Sequence, residues 1–245
     1  MRVKVTCASE SCVQVFVWGD ILQFMEKVCI HIDGGNFYHL ALKKLDLSEK
    51  EFDFDKFVLF LAGEKRTIAD LGKRYYVGTV REKEGDQRSK DAMAMQTSLF
   101  AKLKTTKWEI NTSKLRTRTE EIFIDQRIQD YKKLQKLGIK SIKIERLREK
   151  GIDVKLATDL IVGAVDDKYD TAIVVSSDSD LIPAIDLVRY RFSKKVEYVG
   201  FSIADPKRPN NPTRPLLSMI PRTDVQRTLT AEDLRFFIIQ QQRLM

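Results

Sequence analysis

The sequence predicts an α/β protein: a three-layer α/β/α sandwich built on a mostly parallel central sheet. Three observations carry that prediction. Short apolar, β-branched runs at 28–32, 74–80, 171–175 and 196–201 suit strands buried on both faces. Between them apolar residues return at helical spacing, and strands alternating with helices imply a parallel sheet covered on both sides. Two of the runs also end alike, in a small polar tip bearing aspartate. One leads into Ser176-Ser177-Asp178-Ser179-Asp180, the other into Asp33-Gly34-Gly35-Asn36. Such tips fall at the carboxyl ends of strands, where open α/β sheets place their sites.

Taken in order, residues 1–24 show no period able to bury a face, while Met25-Glu26-Lys27 before a strand reads as a natural start. We therefore expect 1–24 to be an extension, 25–225 the main domain, and 226–245 a C-terminal helix on or beyond it. Helices are predicted at 36–44 and 55–63, the second burying Phe57, Val58, Phe60 and Leu61. After the aromatic strand 74–80, a polar loop with Gly85 leads to a helix at 89–103 and a short strand at 107–110. Residues 111–125 fit an edge hairpin or a loop. A helix at 126–137 is stopped by Gly138. Another fills the second half of 146–161, where Ala157, Leu160, Ile161, Ala164 and Val165 share one face. A helix follows Asp180 with Pro183 in its first turn. A proline- and arginine-rich loop spans 205–215, and Thr230 with Asp233 caps the last helix.

Hydrophobic residues at 43% and charged residues at 32% of 245 describe a chain that can bury a substantial core. No apolar run approaches the ~20 residues needed to cross a bilayer, so no membrane association is expected. Three cysteines without CxxC spacing argue against a disulfide framework or a zinc site, and fit a reducing cytoplasm. The net charge of +8 favours a polyanionic partner; self-association is left open.

The acids carry the chemistry, each with a structural alternative. Asp33 stands at a strand end as a catalytic or metal-binding group, or as the stabiliser of a helix N-terminus. The Gly34-Gly35 turn could equally cradle a phosphate, although the pattern is not GxGxxG. Asp178 is read as a chemical group; for Asp180, capping of the helix near Leu181, by it or by Ser179, competes with a metal role. Asp153 sits at a helix start and could cap it. Asp159 lies about 160° from the apolar face of its helix, as a site acid or a solvated one. Brought together, these carboxylates would repel unless a divalent cation neutralised them. Oxygen donors without His or Cys suit Mg²⁺ or Mn²⁺. His31, within a strand, is expected to be a core residue.

Three segments together, Ile32-Asp-Gly-Gly-Asn36, Lys150-Gly-Ile-Asp-Val-Lys-Leu-Ala-Thr-Asp159 and Val175-Ser-Ser-Asp-Ser-Asp-Leu-Ile-Pro183, resemble the NYN domain. This is a PIN-like nuclease fold, and the likeness is to its bacterial LabA-like branch, over about residues 27–225. The resemblance implies a metal-dependent endoribonuclease in which Mg²⁺ or Mn²⁺ activates water for attack on RNA. It implies catalytic roles for Asp33, Asn36, Asp153, Asp178 and Asp180, with Asp33, Asp153, Asp178 and Asp159 around the metal. Ser177 departs from the glycine common in the branch, and 111–140 is longer than a minimal domain. Lys155, Arg81, Lys83, Arg88 and Arg214 are expected to contact RNA phosphates. A silent RNA-binding module and a nucleotide-binding protein using the glycine turn are the alternatives.

Overall fold

The computed structural model describes residues 25–80, 82, 84–114, 116–148, 151–207 and 209–239. The expectations for 1–24, and for the last residues of the C-terminal helix, lie outside them. Strand β1 (Glu26–Asp33) leads into α1 (Gly34–Leu40), two 3₁₀ turns and α2 (Phe54–Ala62). Then come β2 (Arg66–Thr79), α3 (Gln87–Thr105) and β3 (Glu109–Lys114). A ribbon of β4 (Arg116–Phe123) and β5 (Ser141–Arg148), with α4 (Tyr131–Lys136) between them, precedes α5 (Ile152–Val165). The chain closes with β6 (Thr171–Val175), α6 (Ile182–Phe192), β7 (Lys195–Ser202), β8 (Val225–Thr230) and α7 (Ala231–Arg235).

Six strands form one sheet in the order β3-β2-β1-β6-β7-β8, and every pairing in it is parallel. The chain grows outward from β1 to β3, then returns to build β6 to β8 on the other side of β1. The reversal makes the gap between β1 and β6 the switch point, where side chains at strand ends face an open crevice. Registration of Ile32 with Val175 sets Asp33 beside Ser176 at that edge.

Alternation along the strands divides the core cleanly in two. Val28, Ile30, Ile32, Tyr75, Ile173 and Phe201 face α1, α2, α3 and α7, among the rings of Phe37, Phe52, Phe54 and Phe57. Cys29, Tyr76, Ala172, Val174 and Val196 face α5 and α6, against Leu156, Leu160, Ile185 and Val188. The expected three-layer α/β/α arrangement is present. By the same alternation Asp33 points to the α5–α6 face.

Four expectations change. Strand β2 starts at Arg66 rather than 74, because a register shift between Val28 and Ile30 breaks the period that marks its first half. Residues 116–123 pair antiparallel with 141–148, in a sheet of their own. The helix at 126–137 shrinks to Tyr131–Lys136; Asp125 accepts from the Arg127 backbone at 3.0 Å and holds the chain in a turn first. Strand β8, mostly exposed and polar, occupies part of what was read as C-terminal helix. The helix itself follows, with Thr230 and Asp233 forming the expected capping box.

Candidate functional site

The carboxyl ends of β1 and β6 are tied together by side chains. Asp33 is 6% exposed. One of its oxygens accepts from the Asn36 backbone at 2.9 Å, and the other accepts from the Ser176 hydroxyl at 3.1 Å. Asn36 reaches the same tip: its side-chain oxygen accepts from the Ser177 backbone at 3.0 Å. Ser176 Oγ in turn accepts from the Asp178 backbone at 3.3 Å. Ser177 and Tyr198 share a hydroxyl pair at 2.8 Å, and Tyr198 Oη accepts from Leu216 N at 2.8 Å. Asn36 thus orients the β6 tip, as Asp33 orients the first turn of α1. Gly34 makes this packing fit. A Cβ there would stand 2.4 Å from the Tyr75 ring beneath it.

Asp153 joins from α5, on the face to which Asp33 points. Gly151, at a left-handed φ of 86°, ends the approach to α5 and sets Asp153 in its first turn rather than at the cap. Burial first, then the negative charges of Asp178 and Asp180, push the Asp153 carboxyl above its ordinary range. Asp33, Asp178 and Asp180 thus stand at the carboxyl ends of β1 and β6, and Asp153 of α5 lies near enough to the last two to feel their charge.

The capping alternatives sort themselves. Asp178, not Ser179 or Asp180, caps the 3₁₀ turn Ser179–Leu181, accepting from Asp180 N at 2.9 Å. Asp33 caps α1. Each cap occupies one carboxylate oxygen and leaves further lone pairs for other contacts.

Asp159 is not a solvated surface acid. Its carboxylate pairs with Arg74 at 3.2 Å and accepts from Tyr76 at 2.9 Å and Asn111 at 3.3 Å. It lies six residues from Asp153, under two turns or about 9 Å along α5, with its charge already balanced by a guanidinium. This placement gives it a structural role and removes it from the candidate metal ligands. The helical wheel misled because α5 also packs over β2 and β3, so the side opposite its α6-facing stripe is covered too. Lys155 is likewise engaged, its ammonium donating to the Thr112 carbonyl. Arg88 and Arg214 are exposed; Arg81 and Lys83 lie outside the described residues. His31 is fully buried beside Tyr76, with Nδ1 3.0 Å from its hydroxyl. Burial and then Arg74 push it down to about 3, so the ring is neutral. Ser176, Ser177 and Tyr198 were missed as positioning groups, although the serines were visible in the polar tip.

Whether a divalent ion suits these residues can be tested on their chemistry. The donors are carboxylates, and Asp153 is destabilised as an anion by its neighbours, the state a cation relieves. Among the described residues no three His, Cys, Asp or Glu side chains are placed to hold one ion. Mg²⁺ commonly keeps several waters and takes only one or two carboxylates, so a pair of these acids fits such an ion.

The whole stretch 27–216 matches the NYN domain model. The chain belongs to the NYN domain family, whose members are nuclease-like. No functionally curated protein matches it. Among solved structures it is similar to VPA0982 of Vibrio parahaemolyticus RIMD 2210633, a protein of unknown function. The two are 18% identical over 88% of this chain and 97% of the other, with a TM-score of 0.48. No helix among the described residues is long and apolar enough to cross a membrane.

Proposed function

We propose that this protein is a metal-dependent endoribonuclease of the LabA-like branch, acting on RNA in the cytoplasm. The observation that supports the reading is the standing of Asp33, Asp178 and Asp180 at the carboxyl ends of β1 and β6, with Asp153 of α5 raised by Asp178 and Asp180. Asp153 and Asp178 would hold the ion, with Asp33 beside them. Bound there, Mg²⁺ or Mn²⁺ supplies activation of water and neutralisation of phosphate charge. Asn36 and Ser176 fix the two strand ends against each other, so that the acids keep their spacing while the substrate changes. Asp180, exposed at the rim, would accept a proton or orient water at the open side. The net charge of +8 supports RNA as the partner, since basic side chains offset the repulsion between phosphates and acids.

A second reading has its own support. Two of the acids act as helix caps, and no three are placed around one ion among the described residues. Those facts also suit an RNA-binding module without catalysis. Calorimetric titration with Mn²⁺, followed by cleavage of end-labelled single-stranded RNA, separates the two. The nuclease reading expects saturable Mn²⁺ binding and cleavage that EDTA abolishes. RNA binding without Mn²⁺ affinity or cleavage would overturn it in favour of the silent module.

A further inference from the structure

On the other side of α1 from the acids lies a cleft of about 380 Å³, within the size range of small-molecule sites, roughly 300–1,000 Å³. Gly35 and Tyr38 of α1 form one wall, Met95 and Leu99 of α3 another, and Ser48 and Glu49 close the end. Gln96 holds its rim open, donating to Gly78 O at 2.8 Å and accepting from Val80 N at 2.9 Å. We propose that this cleft takes one unpaired nucleobase of the RNA, guanine before the others, next to the phosphate at the acids.

The inference rests on the nuclease reading for the nature of the substrate; four features of the cleft supply the rest. First, it shares a wall with the acid site. Gly34 and Gly35 connect Asp33 to Asn36, so the cleft opens one or two residues from the carboxylates, at about 3.8 Å per residue. A strand crossing the sheet edge would present a phosphate on one side of α1 and a base on the other. Second, an aromatic ring and a thioether line the space: Tyr38 is half-buried, and Met95 is 53% exposed. Flat π faces and soft sulfur suit stacking with a base. Third, the closed end carries an acceptor. Glu49 takes the Tyr75 hydroxyl on one oxygen and offers the other to the cleft. Burial, opposed by that hydroxyl, holds its carboxyl above the ordinary range, so arriving N–H donors meet a poorly solvated acceptor. Guanine presents two adjacent donors, N1–H and N2–H, which the two lone pairs of the open oxygen can accept; uracil presents one. Fourth, the ring that backs the Gly34 wall is fixed. The Tyr75 ring under Gly34 is fully buried and packs edge-on against Phe54, with centroids 5.4 Å apart.

The test uses equilibrium binding of a fluorescein-labelled single-stranded RNA heptamer in EDTA, where no cleavage intervenes. Each position in turn is made abasic, and each guanine is replaced in turn by inosine, which lacks the 2-amino group. In the parent protein one abasic position should weaken binding roughly tenfold, and inosine there should weaken it several-fold. Ala92→Phe, which fills the cleft from α3, should erase the abasic effect. Glu49→Gln, which keeps an acceptor for Tyr75, should erase the inosine effect alone. Thermal melts check folding; if Ala92→Phe does not fold, Met95→Ala should show a smaller loss in the same direction. Equal affinity for all abasic RNAs in the parent, or an abasic effect unchanged by filling the cleft, overturns the proposal. Metal-dependent cleavage without a base effect would leave the nuclease standing and the cleft refuted. A base effect without cleavage would do the reverse.

Discussion

At the scale of single residues, Asp33 serves the fold and the chemistry through different oxygens. Its cap on α1 and its bond from Ser176 hold it still in a nearly closed position. That stillness depends on Gly34, whose missing Cβ leaves room for the Tyr75 ring. Gly34→Ala should therefore cost about 2 kcal/mol of stability through overpacking, measurable by urea unfolding, and should lower cleavage by moving Asp33. A neutral substitution would show that the ring gives way freely. Asp159 offers the complementary case. Asp159→Asn leaves Arg74 paired with Glu109 alone and should destabilise by about 1–3 kcal/mol. Mn²⁺ affinity should stay at the parent value; loss of it would return Asp159 to the metal site. The sequence made Asp33, Asn36, Asp153 and Asp178 legible because each stands in a short polar tip or at a helix start. It hid the role of Asp159 because Arg74 and Tyr76, its partners, come from a strand far away in the chain.

At the scale of elements, β6 was the most readable because all five of its residues are buried on both faces, which leaves an uninterrupted apolar run. β8 was unreadable for the opposite reason. It is an edge strand with mostly exposed side chains, held by backbone pairing with β7, and pairing leaves no mark on composition. The β4–β5 ribbon was ambiguous because its partner strands lie either side of α4. Ion pairs then lock elements that patterning merely places side by side. Asp224 joins α6 to β7, accepting from Arg189 at 2.9 and 2.7 Å and from Val196 N at 2.8 Å. Burial acts upward on its carboxyl, but the Arg189 fork and the Val196 amide outweigh it and hold the carboxyl below its ordinary 3.8. A depressed value in the folded state means that the contribution is present above about pH 4 and lost as pH falls through the folded value. Because the pair is largely solvated, Asp224→Asn should cost no more than about 1 kcal/mol at pH 7. The gap between parent and variant melting curves should close on acidification; a gap that widened would contradict the assignment. Glu197 is a stronger tie, 5% exposed and bridging Arg66 and Arg227 at the amino end of the sheet. Glu197→Ala should cost about 3 kcal/mol, seen as an earlier urea midpoint, while folded protein keeps its cleavage rate. An unchanged midpoint would mean that the two arginines find solvent without loss.

At the scale of the molecule, parallel topology concentrates function on one edge and stability on the other. The strand order reverses at β1 and β6, the acids collect there, and the charged ties of Glu197 sit at the far end. A chain of this charge should bind RNA through phosphates, with affinity falling steeply between 50 and 200 mM salt, on the order of tenfold or more if several are contacted. Ion binding to the folded state should raise stability as well, by about 2.7 kcal/mol at a hundredfold excess over Kd. The central claim, that these clustered acids act in catalysis rather than only as caps, is tested most directly by Asp178→Asn. Asparagine caps the Ser179–Leu181 turn about as well as aspartate, so folding and RNA affinity should be preserved. Single-turnover cleavage of labelled RNA in Mn²⁺ should fall at least a hundredfold, about 3 kcal/mol of transition-state stabilisation. Cleavage at the parent rate by the purified variant, with contaminating nuclease excluded, would contradict the account and leave Asp178 a helix cap.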